Sequence, residues 1–292
     1  MSDLRLERPI FIVSSGRAGS TVFARLLSYH PRLAFLTQLS GRIPHRPALN
    51  RLALRAMSLP GLGSLVRRRI WCSEAYKYWA HHATGFARPA RDLEARDVTP
   101  RDKEIIPRAI AQNLTPSRPR FMAKVTGWSR IGFLKEVFPD ALFIHLLRDG
   151  REVAQSLLTV GFWDGWAGPS KWILGELPVG LRNDWERHDR SFVVLAAIFW
   201  KLAVESVESA GHTLDSKDFL EIRYEEFVTD PSGTLRTVLD FADLPESGRF
   251  WREVDRTPLM SRDGKFRSNL TAEQQELLTS YLRPDLERLG YL

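Results

Sequence analysis

Cysteine is nearly absent from this chain of 292 residues, which contains only Cys72. A single cysteine excludes an internal disulfide and any cysteine-rich metal site, and we expect a reducing, cytoplasmic setting. Long apolar runs are also missing. The longest, from Phe192 to Trp200, has nine residues, whereas a membrane-spanning helix needs about 20. The first residues carry acidic side chains and no apolar signal core, so we do not expect export.

Acidic residues are missing between Glu7 and Glu74, a stretch that contains eleven arginines. The first 120 residues hold 21 basic and 8 acidic side chains, a net charge of +13, and the remainder holds 21 and 27, a net charge of −6. The electric field of this positive charge raises the local concentration of an anionic ligand. Nucleic acid, phospholipid or a small polyanion would each qualify. The alternative is an arginine-rich face that only contacts solvent.

The order of elements predicts a single α/β domain over residues 1–292. Apolar runs typical of buried strands alternate with helical patterns, which indicates a parallel sheet covered on both faces. The predicted strands span 10–14, 120–125, 141–147 and 219–223. The predicted helices span 20–29, 130–138, 150–158, 191–209 and 231–241, with a last helix after Thr271. Ligands of such sheets bind at the carboxyl ends of the strands.

Residues 40–118 interrupt this alternation and predict a helical insertion. Helical patterns cover 48–57, 65–82 and 100–113, and prolines separate them. From its position we expect the insertion to form a lid or a wall of the acceptor site.

The turn after the first strand predicts an anion site. It runs Ser14-Ser-Gly-Arg-Ala-Gly-Ser-Thr21 and leads into a helix, so its backbone N–H groups and the positive end of the helix dipole meet there. No lysine precedes the hydroxyls, so the turn is not a Walker A loop, and it is not Gly-x-Gly-x-x-Gly either. The alternative is an ordinary strand–helix turn whose glycines serve packing.

A second candidate anion site follows the third predicted strand. Arg148 stands where that strand ends, and Ser156 lies two helical turns further on. A planar guanidinium and a hydroxyl can together hold a phosphate. The alternative is a structural arginine that pairs with Asp149 or Glu152.

Taken together, these two segments resemble the sulfotransferases that use 3′-phosphoadenosine 5′-phosphosulfate (PAPS), in particular the bacterial type. The first turn is similar to the family's 5′-phosphosulfate loop, and Leu146-Leu-Arg-Asp-Gly-Arg-Glu-Val-Ala-Gln-Ser-Leu157 is similar to its 3′-phosphate motif. The segments that begin at Pro139 and Glu221 also resemble the family. The likeness spans about residues 9–36 and 121–291.

The resemblance implies a P-loop-like three-layer fold with a central parallel sheet, and PAPS as co-substrate without a metal. It implies that the 5′-phosphosulfate is held by the first loop, namely Gly16, Arg17, Ala18, Gly19, Ser20 and Thr21. Arg148 and Ser156 would hold the 3′-phosphate, and Tyr224 would lie by the adenine. Lys265 and Arg267 match a basic loop near the 3′-phosphate. Arg17 and Lys124 would contact the group in transfer.

The general base expected for such a reaction is missing from both positions that relatives use. The position of the usual histidine, two residues after Lys124, holds Thr126, and the position of the usual glutamate holds Gln38. Val22 replaces an aromatic residue that some relatives stack on adenine. His45 is one candidate base. Other candidates lie on or beside an aromatic loop over 160–185: Asp164, Asp184, Glu186 and His188. His145 lies within an apolar strand, so we expect its side chain to be buried in the core.

We therefore expect a sulfotransferase that acts on a hydroxyl or amine of a small-molecule, lipid or sugar acceptor. Aromatic side chains of the long loop would supply an apolar acceptor surface: Phe162, Trp163, Trp166, Trp172 and Trp185. We expect no nucleic-acid partner, whereas peripheral contact with a membrane fits the arginines. Two alternatives are a non-catalytic nucleotide- or polyanion-binding protein of the same fold and a P-loop small-molecule kinase.

Overall fold

The computed structural model describes residues 6–59, 61–83, 85–87, 89–170 and 174–292. Within them one parallel sheet is formed by β1 (Ile10–Ser14), β2 (Leu33–Phe35), β3 (Arg120–Thr126), β4 (Leu142–Leu147) and β5 (Phe219–Arg223). Their order across the sheet is β2-β3-β1-β4-β5. Every residue of β1 and β4 is buried, as expected for central strands with both faces covered.

Helices connect the strands and pack against the sheet. They are α1 (Ser20–Leu27), α2 (Gln38–Arg42), α3 (Pro47–Ala56), α4 (Leu62–Arg69), α5 (Tyr76–His82), α6 (Pro100–Ala111), α7 (Ile131–Val137), α8 (Gly150–Leu157), α9 (Val179–Arg187), α10 (Phe192–Gly211), α11 (Tyr224–Thr229), α12 (Pro231–Phe241), α13 (Gly248–Asp255), α14 (Lys265–Asn269) and α15 (Ala272–Arg288). One apolar cluster joins the sheet to α1, α6, α7 and α12. A second joins α8, α10 and α15. The predicted fold class, a parallel sheet between helices, is confirmed.

The strand order explains why distant segments meet. β1 lies between β3 and β4, and its register pairs Ile12 with Lys124 and Ser14 with Thr126. All strands run the same way, so the segments that follow β1, β3 and β4 emerge at one edge of the sheet.

Residues 40–118 contain α3, α4, α5 and α6, but the single helix expected over 65–82 is wrong. α4 ends at Arg69, α5 begins at Tyr76, and the residues between them are not helical. Cys72 forms an isolated antiparallel bridge with Thr37, and the Ser73 N–H donates to the Leu36 carbonyl at 2.8 Å. Pairing with the chain after β2 thus replaces the helical hydrogen bonds of residues 70–75.

None of the helices in the described ranges is long and apolar enough to cross a membrane.

Candidate active site

The β1–α1 loop, residues 14–21, presents its backbone to one side. Gly16 and Gly19 have φ values of +80° and +85°, and Arg17 itself has φ +56°. Such a conformation is strained for a residue with a side chain and is found mainly at functional sites. The N–H groups of five consecutive residues, from Arg17 to Thr21, donate to no acceptor in the described part of the chain. Five unpaired donors at a helix N-terminus form an anion site.

The second predicted motif lies directly against this loop. Arg17 Nε donates to Ser156 Oγ at 3.0 Å, and Arg148 Nη1 donates to the Arg17 carbonyl at 3.2 Å. Ser156 lies on α8, and Arg148 follows β4. The structure therefore brings together the loop and the arginine–serine pair that were predicted separately.

Tyr224, at the start of α11, lies against both motifs. The Arg148 guanidinium is 4.2 Å from the centre of the buried Tyr224 ring, a cation–π distance. A Cβ at Gly19 would lie 2.4 Å from two atoms of the same ring. Glycine is therefore required at position 19 both by its positive φ and by the ring beside it.

Three arginines, Arg17, Arg148 and Arg262, lie close together here. Desolvation, followed by the charges of Arg262 and Arg148, lowers the pKa of Arg17. Arg148 Nε is buried and has no hydrogen-bond partner among the described residues. Arg148 Nη2 lies 3.2 Å from Asp263 Oδ1 and 3.8 Å from Glu152 Oε2. An orphaned guanidinium N–H beside crowded arginines fits a phosphate.

The segment that resembles the basic loop near the 3′-phosphate contacts Arg148 through Arg262 and Asp263. The predicted residues, Lys265 and Arg267, do not make this contact. Arg148 Nη2 donates to the Arg262 carbonyl at 3.0 Å, and the Asp263 carboxylate is its neighbour. Lys265 and Arg267 are exposed on α14, and Arg267 lies over Phe266. No contact in the described structure joins these two side chains to Arg148.

A cavity of about 660 Å³ opens beside the β1–α1 loop. We call the polar part at the ends of β1 and β3, together with Glu74, its floor. The rest of the lining, its walls, combines apolar side chains with Tyr76, Arg130 and Asp164. The lining residues are Ser15, Gly16, Arg17, Ser20, Thr21, Glu74, Tyr76, Ala87, Pro89, Lys124, Thr126, Gly127, Trp128, Arg130, Leu157, Phe162, Asp164, Leu174 and Phe199. Arg148, Ser156 and Tyr224 lie behind Arg17, outside this lining.

A carboxylate that the sequence analysis did not select lies on the cavity floor. Glu74 Oε1 accepts a hydrogen bond from Thr126 Oγ1 at 2.8 Å and lies 3.3 Å from Lys124 Nζ. Lys124 Nζ in turn donates to Thr21 Oγ1 at 2.8 Å. The Tyr76 hydroxyl is 2.9 Å from Thr126 Oγ1. Burial of that hydroxyl and the neighbouring Glu74 charge raise the pKa of Tyr76 to about 12.

Glu74 was missed because of the helix wrongly predicted over 65–82. In a helix it would be one acid among several exposed polar residues. In the structure it follows the bridge at Cys72 and precedes Ala75, whose φ is +50°. The one available signal was its position as the first acidic residue after Glu7.

The predicted bases lie elsewhere, apart from Asp164. His45 is exposed and does not line the cavity. Asp184 pairs with Arg187, and Glu186 lies 3.7 Å from Arg190. His188 Nδ1 is 2.7 Å from the Asp184 carbonyl. Asp164 lines the cavity.

His145 is wholly buried on β4, where its Nδ1 lies 3.0 Å from Glu221 Oε2.

The aromatic loop contributes one of its predicted side chains to the cavity. Phe162 is 57% exposed and lines the wall. Trp163 is buried, Trp166 is exposed, and Trp185 donates to the Ser191 carbonyl at 3.0 Å. Trp172 lies outside the described residues. Trp128, which the sequence analysis did not select, also lines the cavity.

Metal ligands do not cluster in the part of the chain that the structure describes: no three His, Cys, Asp or Glu side chains come together as a metal site would require.

Comparison with known proteins adds a family match. The profile of the sulfotransferase family matches residues 9–248. The chain is 24% identical over 310 residues to an omega-hydroxy-beta-dihydromenaquinone-9 sulfotransferase of Mycobacterium bovis, a match that covers 98% of this chain and 76% of that protein. It is 23% identical over 117 residues to protein-tyrosine sulfotransferase A of Caenorhabditis elegans, which covers 39% of this chain and 24% of that protein.

Solved structures share the fold. A sulfotransferase of Mycobacterium avium superposes with a TM-score of 0.62 at 19% identity, covering 97% of this chain and 77% of that one. The sulfotransferase domain of the Synechococcus PCC 7002 olefin synthase has a TM-score of 0.50 at 16% identity, covering 96% and 95%.

Proposed function

Because the chain belongs to the sulfotransferase family, it transfers a sulfonyl group with PAPS as co-substrate, and we propose that the group goes to a hydroxyl on an apolar, lipid-like acceptor. The observation that carries the proposal is the cavity itself, whose polar floor adjoins the β1–α1 loop and whose walls include Trp128, Leu157, Phe162, Leu174 and Phe199. A transferase of this family is favoured over the kinase and over the non-catalytic binding protein.

We assign the two anion sites to the two ends of the nucleotide. The unpaired N–H groups of residues 17–21 suit the 5′-phosphosulfate. The orphaned Arg148 Nε and the Ser156 hydroxyl suit the 3′-phosphate. The Tyr224 ring between them suits the adenine. Catalysis then rests on positioning and on stabilising the charge that develops on the leaving phosphate, which we assign to Arg17 and Lys124.

Calorimetric titration with adenosine 3′,5′-bisphosphate tests the donor assignment. We expect Arg148→Ala to weaken binding by about 1.5–3 kcal/mol, since a charged hydrogen bond is lost. The same variant should leave the binding of adenosine 5′-monophosphate unchanged, because that ligand lacks the 3′-phosphate. Arg236→Ala is the matched control, since Arg236 is an exposed arginine that lies over Trp251. Equal loss for both nucleotides would contradict the assignment.

The helical insertion supplies much of the acceptor wall. Tyr76, Ala87 and Pro89 of this segment line the walls, which also include Leu157 and Phe162. The curated mycobacterial relative is named for a hydroxylated menaquinone, an apolar acceptor of the same kind. A lipid alcohol suits these walls better than a sugar, whose hydroxyls would need polar partners throughout.

The insertion also suggests peripheral contact with an anionic membrane. Five large apolar side chains of this segment are exposed: Leu52, Leu59, Leu62, Leu65 and Trp71. They lie in the acid-free stretch, and a groove beside them is lined by Leu59, Arg67, Arg249, Arg252 and Arg256 together with Glu253. Exposed leucines among arginines match the boundary between acyl chains and anionic headgroups. Cytoplasmic location, expected from the sequence, stays a prediction.

One experiment tests the acceptor and the membrane contact together. Hexadecanol is presented in vesicles of phosphatidylcholine alone or with phosphatidylglycerol, and transfer from labelled PAPS is followed. We expect transfer to be faster on the anionic vesicles and to lose that advantage at high salt. Faster transfer to free glucosamine than to hexadecanol would contradict a lipid acceptor. Equal rates on both vesicles would contradict the membrane contact alone.

A further inference from the structure

We propose that Glu74 is the general base that accepts the proton of the acceptor hydroxyl. The inference rests on the proposed function, since it needs PAPS bound at the β1–α1 loop. It goes beyond the sequence resemblance, because both positions that relatives use for a base hold residues that cannot serve, Thr126 and Gln38.

Glu74 lies beside the loop where the sulfonyl group would arrive. It lines the cavity, and its carboxylate contacts Lys124 and Thr126 at the end of β3. Lys124 connects Glu74 to this loop, because its Nζ lies 3.3 Å from Glu74 Oε1 and 2.8 Å from Thr21 Oγ1. A base must lie within hydrogen-bond reach of the attacking hydroxyl, and this floor is the place where such a hydroxyl would meet the sulfur.

The Glu74 carboxylate is held in place by two neighbouring side chains. Thr126 donates to Glu74 Oε1, and the Lys124 ammonium approaches the same oxygen. Because the Thr126 proton points to Glu74, the Tyr76 hydroxyl is left as the donor to Thr126. The Thr126 and Lys124 contacts both involve Oε1 and fix its position, and neither involves Oε2. Oε2 is thus available to an acceptor hydroxyl.

Thr126 has a changed role in this arrangement. It stands where relatives have a catalytic histidine, and its hydroxyl holds a carboxylate that comes from another segment. We therefore assign Thr126 as a positioning residue and Glu74 as the catalytic one. Glu74 is 25% exposed, so a proton taken up there can pass on to solvent.

Sulfonyl transfer forms one bond to sulfur and breaks another. The acceptor oxygen uses a lone pair to form a bond to sulfur, and the bond between sulfur and the bridging phosphate oxygen breaks. That electron pair stays on the phosphate of adenosine 3′,5′-bisphosphate, next to Arg17. The hydroxyl proton moves to Glu74 Oε2. No metal or redox partner takes part in this proton and sulfonyl transfer.

Asp164 is the competing carboxylate, because among the acidic residues of the cavity lining only Asp164 and Glu74 appear. It lies on the aromatic loop, and no contact in the described structure connects its side chain to the β1–α1 loop. Asp164→Asn is therefore the variant against which Glu74→Gln is compared.

Hydrolysis of PAPS by the full chain, with water as the acceptor, tests the proposal without an identified substrate. We expect Glu74→Gln to slow hydrolysis at least about tenfold, toward the rate of PAPS alone, because a positioned base contributes about 10²–10⁴-fold. Affinity for adenosine 3′,5′-bisphosphate should stay within about twofold of the parent chain. Glu74→Asp should retain part of the rate, because it keeps a carboxylate.

A series of substituted phenols gives a readout that a structural role would not produce. As the phenol becomes less acidic it depends more on a base, so the loss caused by Glu74→Gln should grow from 4-nitrophenol to 4-methoxyphenol. Glu136→Gln, which removes the carboxylate partner of Lys103 on the surface, is the matched control and should match the parent chain.

Each outcome decides the matter. Equal hydrolysis by the parent chain and Glu74→Gln overturns the proposal, as does a larger loss in Asp164→Asn. Failure of the parent chain to bind adenosine 3′,5′-bisphosphate overturns the proposed function and this inference together. Intact binding with unchanged rates overturns the role of Glu74 alone.

Discussion

The candidate site has two halves that are built in different ways: a donor half at the β1–α1 loop and Arg148, and an acceptor half in the cavity. The donor half consists of backbone N–H groups and side chains at the ends of β1 and β4, held by the register of buried strands. The acceptor half consists of side chains from connecting segments, including Glu74, Phe162 and Leu174. Under the assignment proposed above, the sheet would hold the nucleotide, whereas loops that can differ without disturbing the sheet would hold the acceptor.

The largest expected effect is on the donor half, from Gly19→Ala. A Cβ there would lie 2.4 Å from the Tyr224 ring, at φ +85°. Left-handed strain and overpacking together cost about 3 kcal/mol, so nucleotide affinity should fall on the order of 100-fold. Titration with adenosine 3′,5′-bisphosphate measures it.

Gly180→Ala is the matched control for this substitution. Gly180 lies in α9 and has open space around it, so alanine there should leave affinity unchanged. If Gly19→Ala bound nucleotide normally, the donor half would not be as rigid as the comparison requires.

An intermediate effect is expected on the acceptor half, from Phe162→Ala. Removing this phenyl ring should raise the KM for hexadecanol about tenfold, because burying such a ring against the acceptor stabilises the complex by about 1.5–3 kcal/mol at most. Nucleotide affinity should not change. A raised KM for hexadecanol with unchanged nucleotide affinity is the sharpest test that the two halves are independent. Phe192→Ala, at an exposed ring outside the cavity, is the control. A change in nucleotide affinity would show that the halves are coupled.

The smallest effect is expected from Asp263→Asn. The Asp263 carboxylate lies 3.2 Å from Arg148 Nη2 and competes with an incoming 3′-phosphate. Because this carboxylate is partly exposed, its removal should raise affinity for adenosine 3′,5′-bisphosphate only about threefold. Titrations at low and high salt measure the change. Weaker binding would mean that Asp263 orients Arg148 for the phosphate and does not compete with it.

The donor half could be predicted from the sequence because its signals are local. A glycine turn directly after an apolar strand, and an arginine eight residues before a serine, each lie within one strand–helix unit. Alternating strand and helix patterns also predicted the parallel sheet, which places those units side by side. β2 was missed because three residues, Leu33–Phe35, are too few for a periodic pattern. α11 was missed because it follows β5 without a turn residue.

The acceptor half could not be predicted, because its key carboxylate depends on a long-range contact. Residues 65–82 have a helical pattern, and only the bridge from Cys72 to Thr37 makes their middle part extended. Local propensity cannot anticipate a pairing with a segment more than 30 residues away. The helix predicted there gave no reason to select Glu74, so the candidate bases were His45 and the residues on or beside the aromatic loop.

Cys72 offers a way to measure local opening of the acceptor half. It lies two residues before Glu74, and burial raises its pKa to about 12. A thiol-specific reagent therefore finds neither an accessible nor an ionised sulfur in the closed protein. Modification proceeds only when residues 70–75 leave their pairing with the chain after β2, so its rate reports the free energy of that local opening. As the chain has no other cysteine, this native thiol is a site-specific reporter of the mobility around Glu74.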